Sequence, residues 1–116
     1  MRVTIVHFQS IILSSSDQLT LIPDWQQKIR ADIHFIDGSR LIAYEYIYFD
    51  TGRSKYSYQW MAADNQLIIR WDNAHDYPDL ATSPYHQHVG SEENIQPSEP
   101  MTLEKVLAYI ATQLLH

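Results

Sequence analysis

The chain has 116 residues and no cysteine, and its 8 basic and 14 acidic residues give a formal charge of −6. That length bounds it to one domain, residues 1–116, able to bury a core without metal or disulfide. Lack of cysteine excludes disulfide staples, thiolate metal sites and a cysteine nucleophile. The acidic balance argues against a broad nucleic-acid surface but leaves room for a local grip on one phosphate.

The opening stretch, MRVTIVHFQSIILSSS, has one arginine and an apolar run interrupted by His7, Gln9 and Ser10. It lacks a small-x-small cleavage site and reads as part of the domain, not as a signal peptide. No apolar run approaches a membrane span, and the cytoplasm is the expected compartment. Residues 3–13 are rich in β-branched side chains and read as extended, with a short helix as the alternative. Ser14-Ser15-Ser16-Asp17 and Pro23-Asp24 are turn signals.

From Gln27 the pattern sharpens. KIRADIHFI alternates, with Ile29, Ala31, Ile33 and Phe35 on one side and Arg30, Asp32 and His34 on the other, as in a half-buried strand. Asp37-Gly38 signals a hairpin, since a type I′ turn needs positive φ. RLIAYEYIYF is the next strand, with Tyr44, Tyr46 and Tyr48 on one face. After the turn DTGR, SKYSYQWMA places Tyr56, Tyr58 and Trp60 in one row. Ala63-Asp64-Asn65 turns the chain again, and QLIIRWD sets Ile68, Arg70 and Asp72 opposite Leu67, Ile69 and Trp71. Residues 73–101 read as a loop pinned by Pro78, Pro84, Pro97 and Pro100, with a short strand over 85–89. A loop of that length is often functional. The chain closes in a helix with Thr102 as N-cap, Glu104 in the first turn and Met101 stapled onto Val106. Its stripe of Leu103, Val106, Leu107, Ile110 and Leu114 covers a sheet face. The expected fold is α+β: an antiparallel meander of four or more strands with a C-terminal helix packed on one face.

The candidate chemistry lies in RWDNAHDYPDLATSPYHQHV, residues 70–89. His86 and His88, two apart on a strand, point to the same face. Two imidazoles so placed can share a metal or flank a phosphate as acid and base; the plain alternative is a surface pair. Arg70 sits between Ile69 and Trp71 and needs an anionic partner: Asp72, an acid such as Glu45, or a bound phosphate. His75, His86, His88 and Asp72 form a conceivable zinc set, but no fixed-spacing metal motif supports it. Neither metal nor cofactor is therefore expected. Tyr58 or Trp60 could stack on a base, although such rows are common in plain sheets. With three glycines there is little material for a phosphate loop.

These residues carry a resemblance. Asp37-Gly38-Ser39, Glu45-Tyr46, Tyr56/Tyr58-x-Trp60 and Leu67-Ile68-x-Arg70-Trp71-Asp72-Asn73-Ala74, followed by Pro84-Tyr85-His86-Gln87-His88-Val89 and a C-terminal helix, resemble the TumE-like toxins of bacterial toxin–antitoxin pairs. The resemblance spans roughly residues 27–112, and the Arg-Trp-Asp-Asn-Ala block is its most specific part. Where the family pattern reads Pro-His-His after the alanine, this chain has His75-Asp76-Tyr77; Pro-His-His-x-His reads Pro84-Tyr85-His86-x-His88. The resemblance implies a toxin acting on RNA, as a metal-independent endoribonuclease with His86, His88, Arg70 and Asp72 as its catalytic residues. Asp72 or Glu45 would orient a histidine. The implied partner is a cognate antitoxin protein, with RNA as substrate and a homodimer as one assembly to test. Two alternatives stand beside it: a non-catalytic protein-binding module, and a metal-dependent hydrolase using the loop histidines.

Overall fold

The computed structural model describes residues 1–23 and 25–115; Asp24 of the expected Pro23-Asp24 turn lies outside the described residues. A short helix α1 (Arg2–His7) and a 3-10 turn (Gln9–Ile11) precede seven strands. These are β1 (Ile12–Ile22), β2 (Gln26–Phe35), β3 (Arg40–Tyr48), β4 (Ser54–Met61), β5 (Leu67–Asp72), β6 (His86–Val89) and β7 (Ile95–Pro97), and helix α2 (Leu103–Leu114) follows. The strands stand in the sheet in chain order, each antiparallel to the next. The α+β meander with a C-terminal helix is therefore as expected, extended to seven strands. None of the described helices is long and apolar enough to cross a membrane.

The N-terminal region follows the alternative, a short helix, over the first part of residues 3–13. Residues 2–7 are helical and residues 12–22 are a strand, so the extended reading of 3–13 holds only at its end. Helix propensity separates β-branched residues from the best formers by only a few tenths of a kcal/mol each. Burial of Ile5 and Ile11 against the core outweighs that. Ser14-Ser15-Ser16-Asp17 is not a turn either: these residues pair with Ala31, Asp32, Ile33 and His34 of β2. On an edge strand, cross-strand pairing overrides the local preference of serine and aspartate.

Cross-strand partners share a face and successive residues alternate, so the register fixes what each face carries. One face presents Ile29, Ala31, Ile33 and Phe35, then Leu41 and Ala43, then Tyr56, Tyr58 and Trp60, then Ile69 and Trp71. Helix α2 lays Leu103, Val106, Leu107 and Ile110 on that face, and Ile5 and Ile11 complete the core. The Thr102 hydroxyl caps the helix by accepting from the Lys105 N–H at 3.2 Å. Tyr58 and Trp60 are thus core side chains, which removes them as base-stacking platforms. The Tyr58 hydroxyl donates to Glu45, and burial together with that carboxylate raises its pKa.

The hairpin between β2 and β3 is not type I′. Its loop spans residues 36–38, closed by Gly38 N–H to Phe35 O and Phe35 N–H to Ser39 O. Gly38 alone among these has positive φ, +87°, the arrangement of a type I turn ending in a left-handed residue. Asp37 accepts from the Ser39 N–H and hydroxyl, and Ser39 in turn accepts from the Trp60 indole at 3.0 Å.

Candidate functional site

The face of the sheet away from α2 gathers the candidate residues. Asp72 pairs with His86 and Arg70 pairs with His88 across β5 and β6, and Gln59 of β4 pairs with Arg70. Four side chains that are close in sequence only two by two therefore meet on one face. Asn73 closes the end of β5 by accepting from the Tyr56 N–H at 2.9 Å and donating to Ser54 O at 3.3 Å. The following loop is tied by Tyr77 N–H to the Ser83 hydroxyl and by the Thr82 hydroxyl to Tyr85 O. Its Tyr77 ring stands edge-on to His86, 4.5 Å between centroids.

Asp72 is the hub and is 5 % exposed. Its Oδ1 accepts from the Ala74 N–H at 3.2 Å and lies 2.8 Å from His86 Nε2. Its Oδ2 accepts from Arg70 Nε at 3.2 Å and lies 3.5 Å from His88 Nε2. His86 is fully buried and His88 nearly so. Each ring turns Nδ1 to a backbone carbonyl at 2.8 Å, Pro84 O for His86 and Glu92 O for His88. A carbonyl only accepts, so Nδ1 carries a proton in both rings, and in a neutral imidazole Nε2 is then the lone-pair nitrogen. Close as it is to Asp72, His86 Nε2 has no aligned hydrogen bond; the approach is off the hydrogen-bonding direction.

Sequence reasoning missed Glu92. Its carboxylate takes both terminal nitrogens of Arg70, Nη1 at 2.6 Å and Nη2 at 2.5 Å. Arg70 Nη1 also reaches Gln59 Oε1 at 3.5 Å. Burial pulls the Arg70 pKa down, but hydrogen bonds and charge attraction from Glu92 and Asp72 outweigh it and hold the guanidinium above its ordinary value. The expected pairing of Arg70 with Asp72 is present, and the chain turning back after β6 adds Glu92 as a second anionic partner. Glu45, the other expected partner, is on the opposite face with Tyr58. Tyr77 was equally hidden; nothing in its neighbours signals that it closes over His86.

Asp72, His86 and His88 also offer one ligand atom each within 4.8 Å of one another. Two imidazoles and a carboxylate suit a transition ion, and Nδ1–H bonds to backbone carbonyls are the usual outer support of such ligands. His75 is exposed and belongs to no such group among the described residues. The arrangement can thus hold a proton or a cation between Nε2 and carboxylate, beside a guanidinium whose fork is shaped for two oxygens.

A family model described as Toxin TumE matches residues 2–114, nearly the whole chain. No curated protein and no solved structure matches it.

Proposed function

Because the chain belongs to the TumE toxin family, we propose that it acts by cleaving RNA at the cluster of Arg70, Asp72, His86 and His88, and that a cognate antitoxin protein restrains it. The observation that carries this reading is the Arg70 fork. Its terminal nitrogens donate to the Glu92 carboxylate and its Nε to Asp72, next to two imidazoles on the same face. A phosphodiester presents the same pair of oxygens as the Glu92 carboxylate and displaces it. One histidine of the pair takes the ribose 2′-hydroxyl proton as that oxygen attacks phosphorus. The other protonates the leaving 5′ oxygen, and Arg70 stabilises the phosphorane between them. Asp72 orients both rings. The products are a 2′,3′-cyclic phosphate and a 5′-hydroxyl. Since His86 is covered by Tyr77, this chemistry requires the 73–85 loop to move when RNA binds.

Expression of the chain alone is expected to arrest growth, and co-expression of the antitoxin to restore it. Arg70→Ala and His88→Ala each lower RNA cleavage by about a hundredfold or more and relieve the arrest. Arrest that persists in both variants sinks this site. A second reading, a metal-dependent hydrolase, is favoured by the buried His86 Nε2 without an aligned partner. There Asp72, His86 and His88 would hold an ion that supplies an activated water. Metal analysis of the purified chain, with cleavage assayed in chelator, separates the two: the acid–base reading expects activity to survive metal removal.

A further inference from the structure

We propose that single-stranded RNA lies across the open face of β2, β3 and β4, with bases stacked on Tyr44 and Tyr46 and phosphates held by Lys28, Arg30 and Lys55, and that it reaches Arg70 from there. This rests on the RNA reading above and adds where the substrate is held.

The first support is the distribution of charge. The strands place Lys28, Arg30, Arg40, Lys55 and Arg70 on the open face, five of the chain's eight cations, against the carboxylates of Asp32 and Asp72 and that of Glu92, which reaches Arg70 from the turn after β6. The helix-side face of the strands carries Asp17 and Glu45 and no lysine or arginine. A chain of charge −6 thus has one face with an excess of cations, and the local field there is what a polyanion meets.

The second is the aromatic ladder among those cations. Tyr44 and Tyr46, two apart on β3, lie nearly parallel at 12°, with centroids 6.0 Å apart. Lys28 Nζ sits 5.2 Å from the Tyr44 ring and 5.9 Å from that of Tyr46; Lys55 Nζ sits 5.8 Å from Tyr48. Arg30 packs its guanidinium 5.7 Å from the Tyr44 ring and donates from Nε to the Tyr44 hydroxyl at 3.0 Å. Burial, with Tyr44 and Tyr48 beside it, raises the Tyr46 hydroxyl above the ordinary tyrosine value, so that ring stays neutral. Half-buried rings with cations over their faces combine the aromatic and basic groups that sequence-tolerant single-strand binders use. A stacking base takes the place of the mobile Lys28 ammonium, which moves to the phosphate.

The third is the path to the site. The register runs Arg30, Tyr44, Ser57, Asp72 and His86 as one row across five strands. Tyr44 therefore stands two strands from Asp72, roughly 10 Å at about 4.8 Å per strand. A depression of about 140 Å³ lined by Ile42, Tyr44, Ser57 and Gln59 fills the gap, and Gln59 touches Arg70. A strand of nucleotides stacked on the ladder thus has a course over this depression to Arg70, where its phosphate displaces the Glu92 carboxylate.

The test is fluorescence anisotropy with a labelled 2′-O-methyl RNA, single-stranded or as a duplex, which the proposed 2′-hydroxyl chemistry cannot cleave. The full-length chain is expected to prefer the single strand. The double variant Tyr44→Ala/Tyr46→Ala is expected to lose about tenfold or more in affinity. Tyr44→Phe/Tyr46→Phe keeps the rings and binds as the parent does, with circular dichroism to check that each variant folds. Lys28→Ala and Lys55→Ala each lower the slope of log affinity against log salt by about 0.7. Undiminished binding by a folded alanine double variant overturns the proposal, as does equal affinity for duplex. So does a double variant that loses the antitoxin while RNA binding by the parent is absent, for the face is then a protein interface. Specific single-strand binding without cleavage of unprotected RNA leaves this proposal standing and overturns the nuclease reading. Cleavage at unchanged KM by the double variant does the reverse.

Discussion

Both faces of the sheet carry a row of aromatic residues at strand spacing: Tyr44, Tyr46 and Tyr48 on β3, and Tyr56, Tyr58 and Trp60 on β4. The β4 row opposes Leu41, Ala43 and Glu45 and is pressed under α2, with Tyr58 and Trp60 at 2 % and 5 % exposure. The β3 row opposes Gln26, Lys28 and Arg30 and stays half in water, with cations over its rings. The two rows are alike in composition, three tyrosines against two tyrosines and a tryptophan, so composition does not decide the role. Partners across the ladder decide it: apolar neighbours make a tyrosine part of the core, and basic ones make it a surface for a ligand.

Truncating one ring on each face separates the two roles. Phe35 is fully buried on the helix side, and Phe35→Ala is expected to cost about 3–5 kcal/mol through lost burial and the cavity left behind. Tyr44→Ala, on the open face, is expected to cost about 1 kcal/mol. Urea unfolding of both variants measures the gap. Equal losses mean the open face is built for stability, and the ligand reading of its tyrosines fails.

A smaller effect sharpens the contrast within the open face. Asp32 accepts from Arg40 Nε at 2.7 Å and also approaches Arg30 and His34. The Arg40 hydrogen bond holds its carboxyl below the ordinary value of 3.8, against burial, with the charges of Arg40, His34 and Arg30 adding to it. A carboxyl whose folded-state pKa is depressed contributes stability above its unfolded value and loses it as pH falls through the folded one. Asp32→Asn is therefore expected to cost about 1–2 kcal/mol at neutral pH, with the gap closing below about pH 3.8. A pH-independent difference in midpoint would mean that the ion pair contributes nothing. The remaining cations of the face would then be no freer for a ligand than Arg40.

Much of this organisation was legible in the residues. Alternation in KIRADIHFI and QLIIRWD gave strand phase, and the two-residue spacing of His86 and His88 gave their common face. Phase does not say which face a helix will cover when tyrosines stand on both, so the two rows could not be told apart. Local propensity misled at residues 14–17, where ten paired positions between β1 and β2 hold serines in a strand. In the site, Arg70 and Asp72 were visible because they interrupt an apolar strand. Glu92 was not, since it lies 22 residues from Arg70 and only the turn after β6 brings it back.

Glu92 is where the comparison yields its smallest energetic effect and its most specific functional one. The side chain is 57 % exposed, and an exposed partner in an ion pair contributes little, so Glu92→Gln is expected to change unfolding free energy by no more than about 0.5 kcal/mol. Its carboxylate nevertheless fills the Arg70 fork from the solvent side. Removing the charge leaves the guanidinium, still oriented by Asp72, facing any incoming oxygens with no competing anion. Affinity for the protected single-stranded RNA is expected to rise several-fold, most clearly at low salt. Had the pair been a stabilising clasp, stability would fall and RNA affinity would not move. That result would return Arg70 to the architecture of the open face and leave the tyrosine ladder without a destination.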